Sequence, residues 1–354
     1  MAAKIRIKDI AEKAGVSVGT VDRVLHKRPN VSKDALIKVN KILEEIEYKP
    51  NMYASALACN KSFTFVLFIP HHTSEAYWQE IEEGANKAED MRRDFNINLK
   101  YVYYKRFDDE DFERGANKCM SYAPDGVIIV PTGLDITRKL TDLLHEKHVP
   151  FVLLDSYMPD LRPLAFFGQD SFCSGYFAAK MLMLIASNEK KIMLMRQTHK
   201  GVLTTKQQAN REVGFRHYMI DHFPNIEIVV LDLPTEGEKR KFHEILDQFF
   251  EKNPSIHHCI TLNSKAHIIG EYLLAKNLRD KQIMGYDMVP KNAECLRQGS
   301  ASFIIAQHGY QQGYSCVEAL FKAVVLKQQI EPVNYMPIEL LTKENCEFYR
   351  RTQM

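Results

Sequence analysis

The chain contains 354 residues, of which 45% are hydrophobic and 26% are charged. This balance is typical of a soluble globular protein, and the length predicts more than one domain. No run of about 18 apolar residues occurs, which argues against a membrane span. The amino-terminal segment MAAKIRIKDI has no apolar signal core, so we expect a cytoplasmic protein.

The cysteine and histidine patterns argue against a metal centre and a disulfide framework, and we expect no cofactor. The seven cysteines are widely spaced and none forms a C-x-x-C pair, so we expect reduced thiols. His71 and His72 are adjacent, but no third metal ligand accompanies them. No nucleophile elbow, P-loop, G-x-G-x-x-G or H-E-x-x-H motif stands at a predicted strand–helix junction, so an enzyme is not favoured.

The first predicted elements are two short helices within residues 7–24, IKDIAEKAGVSVGTVDRV. Gly15 can adopt a positive φ at the corner between them, and Ser17 can cap the second helix. Val21 and Val24 recur at helical spacing and can hold the second helix against the first. The remaining polar face fits a DNA major groove, whereas the alternative is an ordinary helical hairpin inside a core.

The distribution of charge favours the DNA-binding interpretation. Residues 1–61 contain 12 Lys and Arg against 7 Asp and Glu, a net charge of +5. The other residues contain 35 basic and 38 acidic side chains, a net charge of −3. A basic amino-terminal module on a nearly neutral body suits a protein that binds phosphates at one end.

A third helix is predicted after Ser32, which is a good N-cap. Four apolar residues at helical spacing, Leu36, Val39, Leu43 and Ile46, are expected to complete a three-helix core.

The second helix supplies most of the candidate DNA contacts. Arg23 can bind guanine O6 and N7 with two hydrogen bonds, or it can neutralise a phosphate. Asp22 can accept a hydrogen bond from cytosine N4, but the sequence favours a role in orienting Arg23. The candidate contacts in and beside this helix are Ser17, Val18, Gly19, Thr20, Asp22, Arg23 and His26.

The motifs IKDIAEKAGVSVGTVDRVL, NVS and EYKPN resemble the LacI family of bacterial transcription regulators. The resemblance implies that the segment after Pro50 forms a hinge helix on operator DNA and that Leu57 enters the minor groove as a wedge. Asn51 and Ala54 are the other matching hinge positions. The chain departs from the family at Ser55, where Arg is common, and at Asp22, where Ser is common.

From residue 63 onward, short apolar runs alternate with longer amphipathic stretches. This alternation predicts parallel sheets covered by helices on both faces, and the number of strands favours two lobes. The predicted strands are 63–69, 99–104, 126–130, 151–154, 191–195, 226–233, 259–262, 283–286 and 303–306.

Polar and aromatic side chains follow several of these strands. Asp155, Asn263, Asp287 and Gln307 each come directly after a predicted strand. Ligands of such folds bind at the carboxyl ends of the strands, and these groups suit sugar hydroxyls. Helix capping is the alternative role for the same residues.

The motifs DGVIIVP, PFVLLD, GQDSFCSG, NREVGF, GYDM and FIIAQHGYQQGY resemble the type I periplasmic-binding-protein fold that serves as the sensor of LacI-family regulators. Ser156 stands where sugar-binding members often have Arg, and His72 and Glu75 replace small polar residues of the first loop. The resemblance implies the following ligand-binding residues: Tyr77, Trp78, Asp155, Arg211, Asn263, Asp287 and Gln307. We add His72 and Glu75 as candidates because they stand in the first loop of the same site.

The fold class expected is therefore an all-α helix-turn-helix headpiece followed by an α/β two-lobed domain with parallel sheets. We expect a homodimer, because one headpiece makes few DNA contacts. The carboxyl-terminal segment contains no leucine heptad, so we do not expect a tetramer. The expected domains are 1–49 (DNA binding), 50–61 (hinge) and 62–354 (ligand binding), with an N-lobe of about 62–168 and 308–330 and a C-lobe of about 169–307 and 331–354.

The function favoured is a DNA-binding regulator, by preference a repressor, whose affinity for a pseudo-palindromic double-stranded operator is controlled by a small carbohydrate. A nucleobase or an oligosaccharide effector is the alternative ligand. A solute-binding protein without DNA function is a further alternative, although the intact helix-turn-helix segment argues against it.

Overall fold

The computed structural model describes residues 6–25, 29–46, 53, 61–73, 77–203, 205–235 and 237–351. The chain divides into two compact units, Met1–Asn60 and Lys61–Met354. We call the first unit the headpiece and the second unit the body.

The headpiece contains helices α1 (Ile7–Ala14), α2 (Val18–Leu25) and α3 (Lys33–Glu45). Gly15 ends α1 in the left-handed region with φ of 64°, and its backbone N–H bonds to carbonyls of the last turn of α1. A glycine has no Cβ to clash in this conformation, which turns the chain sharply into α2. The predicted helix-turn-helix is therefore confirmed.

The headpiece core differs from the prediction in one residue. Leu36 is 42% exposed and does not belong to the buried face of α3. That face is centred on the fully buried Val39, with Ala35 and Ile42 partly buried, so Leu36 lies at its edge. The buried apolar residues are Ile10, Ala11, Ala14, Val21, Val24 and Val39.

The body contains two sheets, and the first is entirely parallel. Its strand order is β12-β5-β4-β3-β1-β2. We call this sheet and its helices the N-lobe. Its strands are β1 (Phe63–Pro70), β2 (Ile97–Tyr104), β3 (Gly126–Ile129), β4 (Phe151–Leu154), β5 (Ala165–Gly168) and β12 (Val333–Tyr335).

The second sheet, which forms the C-lobe with its helices, has the order β13-β11-β10-β9-β6-β7, with β8 beside β6. Its pairs are parallel except β6 with β7 and β11 with β13. Its strands are β6 (Lys191–His199), β7 (Val202–Leu203), β8 (Glu227–Pro234), β9 (His258–Thr261), β10 (Gln282–Tyr286), β11 (Ala301–Ala306) and β13 (Glu339–Leu341).

Helices cover both faces of the sheets, because the strands are apolar on both sides: the neighbouring residues Met193 and Leu194 belong to separate hydrophobic clusters. Short turns of 3₁₀ helix lie at Arg93–Phe95 and Pro159–Leu161, and a π-helical turn lies at Phe321–Val325. The α-helices are α4 (Tyr77–Met91), α5 (Asp109–Ser121), α6 (Leu134–Glu146), α7 (Ser171–Ala186), α8 (Lys206–His222), α9 (Lys239–Lys252), α10 (Ala266–Ala275), α11 (Pro290–Gln298), α12 (Gly309–Leu320) and α13 (Cys346–Arg351).

The chain passes between the lobes three times, near residues 169, 307 and 337. Gln169 connects these crossings, because its Nε2 donates to the carbonyl oxygens of Ala306 at 2.8 Å and Pro337 at 2.7 Å. The third crossing follows β12, which pairs with β5 in the N-lobe. The N-lobe thus extends to Tyr335 rather than to residue 330, because pairing with β5 holds this short strand.

Among the described residues, no helix is both long enough and apolar enough to cross a lipid bilayer. The cysteines in the described part of the chain are free thiols, and the same part contains no cluster of three or more side chains arranged to hold a metal ion.

Candidate functional site

The exposed face of α2 is the candidate DNA-reading surface of the headpiece. Val21 and Val24 are buried against the other helices, whereas Val18, Gly19 and Arg23 are exposed. Burial of the two valines therefore fixes which side of α2 faces solvent, and this side carries the Arg23 guanidinium.

The start of α2 is fixed by hydroxyl groups. The Ser17 Oγ accepts a hydrogen bond from the Thr20 backbone N–H at 3.1 Å and lies 2.9 Å from the Thr20 Oγ1. The predicted N-cap is confirmed, and the Ser17 hydroxyl serves the fold of the headpiece. Thr20 and Asp22 are only partly exposed. Contacts of Ser17, Thr20 and Asp22 with DNA remain predictions.

Five predicted site residues lie outside the described residues, and their roles also remain predictions. Four belong to the DNA-binding set and one to the ligand-binding set. They are His26, Asn51, Ala54, Leu57 and Glu75.

A buried polar network joins the two lobes at the carboxyl ends of their strands. Gln307 Nε2 donates to both carboxylate oxygens of Asp287, at 2.8 and 3.0 Å. The Gln307 Oε1 accepts from the Gln207 Nε2 at 3.0 Å and from the Arg211 guanidinium. Gln207 Nε2 also donates to the Asp155 Oδ1 at 3.0 Å. Asp155 follows β4 of the N-lobe, so these contacts bridge the lobes.

The same network reaches α4 through Gln312, which is fully buried. Its Nε2 donates to the Tyr77 hydroxyl at 2.9 Å and to the Gln307 carbonyl at 2.7 Å. The structure therefore brings together five of the predicted ligand-binding residues: Tyr77, Asp155, Arg211, Asp287 and Gln307.

Arg211 is the cation at the centre of the network and is only 1% exposed. Its guanidinium carbon lies 4.0 Å from the centroid of the Tyr286 ring, and Nη1 donates to the Leu262 carbonyl at 3.0 Å. Arg211 Nε and Gln312 Oε1 have no hydrogen-bond partner among the described residues. Buried polar atoms of this kind are normally bonded, so both are candidate contacts for a polar ligand or a water molecule.

Burial governs the ionisation of the two carboxyl groups in the network. It raises the pKa of Asp287 to about 7, although the Arg211 charge and the Gln307 hydrogen bonds act in the opposite direction. Burial also raises the pKa of Asp155, again opposed by Arg211 and by Arg106. Asp155 and Asp287 have left-handed backbones, with φ of 70° and 68°, which Asp tolerates better than most residues.

Two further predicted residues border this network. The Trp78 ring packs edge-on against the Tyr77 ring, with centroids 5.0 Å apart. Asn263 follows β9, and its Nδ2 donates to the Gln208 Oε1 at 2.9 Å. Contact of either residue with a ligand remains a prediction.

His72 lies apart from this network. Its Nδ1 is 2.9 Å from the Pro70 carbonyl oxygen, and its Nε2 is 3.4 Å from the Glu82 carboxylate. Both ring nitrogens therefore face acceptors inside the N-lobe, and ligand contact by His72 also remains a prediction.

A cavity of about 510 Å³ opens between the lobes beside Asp155. This volume is in the range of small-molecule sites. The Phe107 ring of the N-lobe and the His199 ring of the C-lobe stack at one edge, 4.7 Å apart. The described lining residues are Tyr104, Arg106, Phe107, Val130, Pro131, Thr132, Gly133, Leu134, Asp155, Ser156, Met158, His199, Lys200, Val202, Leu203, Thr205 and Lys206.

Comparison with known families agrees with this architecture. Residues 6–51 match the family model described as bacterial regulatory proteins of the lacI family, and residues 65–328 match that of a periplasmic binding protein domain. A solved structure from Bacteroides fragilis, described as a candidate LacI transcriptional regulator, is 40% identical with a TM-score of 0.79; the match covers 82% of this chain and 100% of that chain. The chain belongs to the LacI family.

Curated relatives of this LacI-family chain are named as regulators. The "Probable HTH-type transcriptional repressor ExuR" of Bacillus subtilis is 27% identical over 221 residues, which are 62% of this chain and 61% of that protein. Catabolite control protein A of Staphylococcus aureus is 31% identical over 152 residues, or 42% of this chain and 43% of that protein. The matches thus span less than two thirds of either relative.

Gln207, Gln312 and Arg106 are site residues that the sequence analysis missed. The residues predicted from strand ends come directly after strands, whereas Gln207 and Gln312 lie in the first turns of helices. One feature of the sequence could have indicated Gln207: the segment KQQANRE contains no large apolar residue that could pack into a hydrophobic core. A helix in this fold that buries polar residues instead indicates a ligand cleft.

Proposed function

We propose that this LacI-family chain is a transcription regulator, acting as a repressor in the cytoplasm, whose affinity for operator DNA is set by a small carbohydrate bound between the lobes. The observation that carries the proposal is that one chain contains both a helix-turn-helix with an exposed reading face that carries Arg23 and a body with a buried interlobe polar network. We assign it no catalytic role.

We assign the main base contact to Arg23. It is exposed on α2, and an arginine there can donate two hydrogen bonds to guanine O6 and N7. Gly19 presents no side chain, and Val18 offers only an apolar contact for a thymine methyl group. We infer that α2 reads few bases and that the hinge positions Asn51, Ala54 and Leu57 supply further recognition.

We assign the effector to the interlobe site because its chemistry suits a sugar. Carboxylate and amide groups from both lobes, Asp155, Asp287 and Gln307, converge there and can form paired hydrogen bonds with hydroxyl groups. The rings of Tyr77 and Trp78 lie beside them and can pack on the C–H faces of a sugar ring.

Control follows from a shift in population between lobe arrangements. A ligand that bonds to residues of both lobes stabilises the arrangement in which they are close. In a homodimer this arrangement fixes the separation of the two headpieces, and thereby their fit to a two-fold symmetric operator.

Selection of operator sequences tests the DNA-binding part. The full-length protein is bound to a random library of double-stranded DNA over repeated rounds, and we expect enrichment of a pseudo-palindrome. Arg23→Gln should then weaken binding to the selected site by about 10- to 100-fold, because loss of a bidentate base contact costs about 1–3 kcal/mol.

Leu57→Ala provides a second variant for the same experiment. We expect it to weaken binding to the selected site far more than binding to random DNA, because a wedge acts only in the specific complex. Failure to enrich any sequence would disprove sequence-specific binding, and equal losses on both DNAs would disprove the hinge assignment.

A further inference from the structure

The interlobe cavity has more positive than negative charge. Its described lining includes three cationic side chains, Arg106, Lys200 and Lys206, whereas Asp155 is the only acidic one. Asp155 is moreover buried, and burial favours its protonated form. A neutral sugar does not need this excess of cations.

Arg106 is the cation from the N-lobe, in the loop after β2. Its guanidinium carbon lies 5.8 Å from the centroid of the Trp78 ring and 5.8 Å from that of the Phe107 ring. No described residue forms a hydrogen bond or an ion pair with its guanidinium. Its donors remain available at the edge of the cavity, held in place by two aromatic faces.

Lys265 of the C-lobe adds to the same positive region. Its pKa is lowered by burial and by the neighbouring charges of Lys291 and Arg106. Its ammonium group has no hydrogen-bond or ion-pair partner among the described residues. Arg106 and Lys265 therefore repel each other across the lobes, and an anion between them would turn this repulsion into attraction.

The backbone adds to the positive potential. Helix α6 begins at the cavity wall, where Gly133 provides no side-chain cap, and α8 begins there with Lys206. The amino termini of helices carry partial positive charge. These dipoles support the side-chain charges and would not define a site without them.

We propose that the effector is a sugar bearing an anionic group, a carboxylate or a phosphate, which Arg106 of the N-lobe and Lys206 of the C-lobe bind. The sugar ring then lies toward Asp155, and its anionic group lies among the cations of the cavity. This proposal rests on the interlobe site of the proposed function and specifies its ligand class. Because the two cations come from different lobes, one anion stabilises the closed arrangement.

Binding of inorganic phosphate provides the first test, because it does not depend on the identity of the sugar. Trp78 is the only tryptophan, and Arg106 lies beside its ring. We expect phosphate, compared with chloride at equal ionic strength, to produce a saturable change in Trp78 fluorescence of the full-length protein. If phosphate behaves like chloride, the proposal is overturned.

Variants that remove one positive charge each show which residues bind the phosphate. Arg106→Gln and Lys206→Gln should each weaken phosphate binding by at least about tenfold, since each loses a charge-assisted hydrogen bond. Lys105→Gln is the matched control, because Lys105 is exposed in the same loop and does not line the cavity. Equal losses in all three variants would indicate general screening and would contradict the assigned site.

Matched sugars identify the anionic group. D-glucose, D-glucuronate and D-glucose 6-phosphate, and the three galactose equivalents, are titrated by Trp78 fluorescence. Tighter binding of a uronate assigns a carboxylate, and tighter binding of a 6-phosphate assigns a phosphate. If neutral sugars bind as tightly as both charged forms, the proposal of an anionic ligand is overturned, but the proposal of a carbohydrate effector stands. The operator-selection experiment tests DNA binding separately.

Discussion

The carboxyl group of Asp287 lies in a site that opposes its ionisation. Burial raises its pKa to about 7 from an ordinary value near 3.8, despite the opposing effects of Arg211 and Gln307. Between these two values the folded protein binds more protons than the unfolded chain. The free energy of unfolding must therefore fall as pH rises from about 4 to 7, through the window set by the two pKa values.

Asp287→Asn tests this consequence. The amide keeps an acceptor for Gln307 but cannot ionise, so the variant should lose less stability than the wild type between about pH 4.5 and 7.5. We expect the difference to be about 2–4 kcal/mol, since one unit of pKa corresponds to about 1.4 kcal/mol. Urea unfolding of the body, followed by Trp78 fluorescence at each pH, measures this difference in the free energy of unfolding.

The exposed Asp160 supplies the control for this experiment, because Asp160→Asn removes a carboxylate that is not buried. We expect Asp160→Asn to retain the pH dependence of the wild type. If Asp287→Asn also retains it in full, burial of Asp287 is not its source. The pKa of Asp155 is raised as well, so part of the dependence of the free energy of unfolding on pH remains in both variants.

Residues at the ends of strands were predictable from the sequence, and their partners were not. Asp155, Asp287 and Gln307 follow apolar runs, so their position at the cleft follows from parallel-sheet topology. Gln207 and Gln312 lie in helices, where a polar residue usually faces water. Only packing of α8 and α12 at the lobe interface turns these two glutamines inward, and that depends on the tertiary fold.

Among the elements, the corner between α1 and α2 depends on one backbone conformation. Gly15 has φ of 64°, and a Cβ atom at this position would meet no heavy atom within 4 Å, so sterics with neighbours do not require glycine there. The requirement comes from the left-handed backbone itself, which costs other residues about 1–2 kcal/mol.

Gly15→Ala should therefore destabilise the headpiece by about 1 kcal/mol, whereas Gly19→Ala should stabilise it by up to about 1 kcal/mol because alanine favours helix. Gly19 is a matched control, since its φ is not positive and a Cβ there would approach only the Ser17 hydroxyl at 3.8 Å. Hydrogen exchange of amides in α1 to α3 of the full chain measures both effects. Equal changes with the same sign would contradict this role of Gly15.

The long elements were predicted better than the short ones. The nine predicted strands are present, and each corresponds to a short apolar run of the kind that is consistent with a buried strand. β5, β7, β12 and β13 have two to four residues and were not predicted as separate strands. β12 contains the sequence VNY, and its conformation is determined by pairing with β5.

At the scale of the whole molecule, Gln169 ties together the three crossings between the lobes. Its side chain is 2% exposed and donates to the carbonyls of Ala306 and Pro337. Any change in lobe arrangement must act on these crossings, so we infer that their spacing contributes to the proposed control of DNA binding.

Gln169→Leu should destabilise the body by about 2–4 kcal/mol, because it leaves two carbonyl acceptors without their donor at a buried position. Urea unfolding followed by Trp78 fluorescence measures the loss. Gln329→Leu is the control on an exposed glutamine and should change stability by no more than about 0.5 kcal/mol. Similar stability of both variants would show that Gln169 does not hold the crossings together.

In the proposed function, occupation of the interlobe site and binding of operator DNA are coupled. The most direct test measures the Kd for the selected operator with and without the tightest-binding sugar of the panel, and the Kd for that sugar with and without the operator. We expect the same factor in both comparisons, at least about fivefold, because coupling between two binding sites is reciprocal. An operator Kd that stays unchanged when the sugar saturates the body would contradict it.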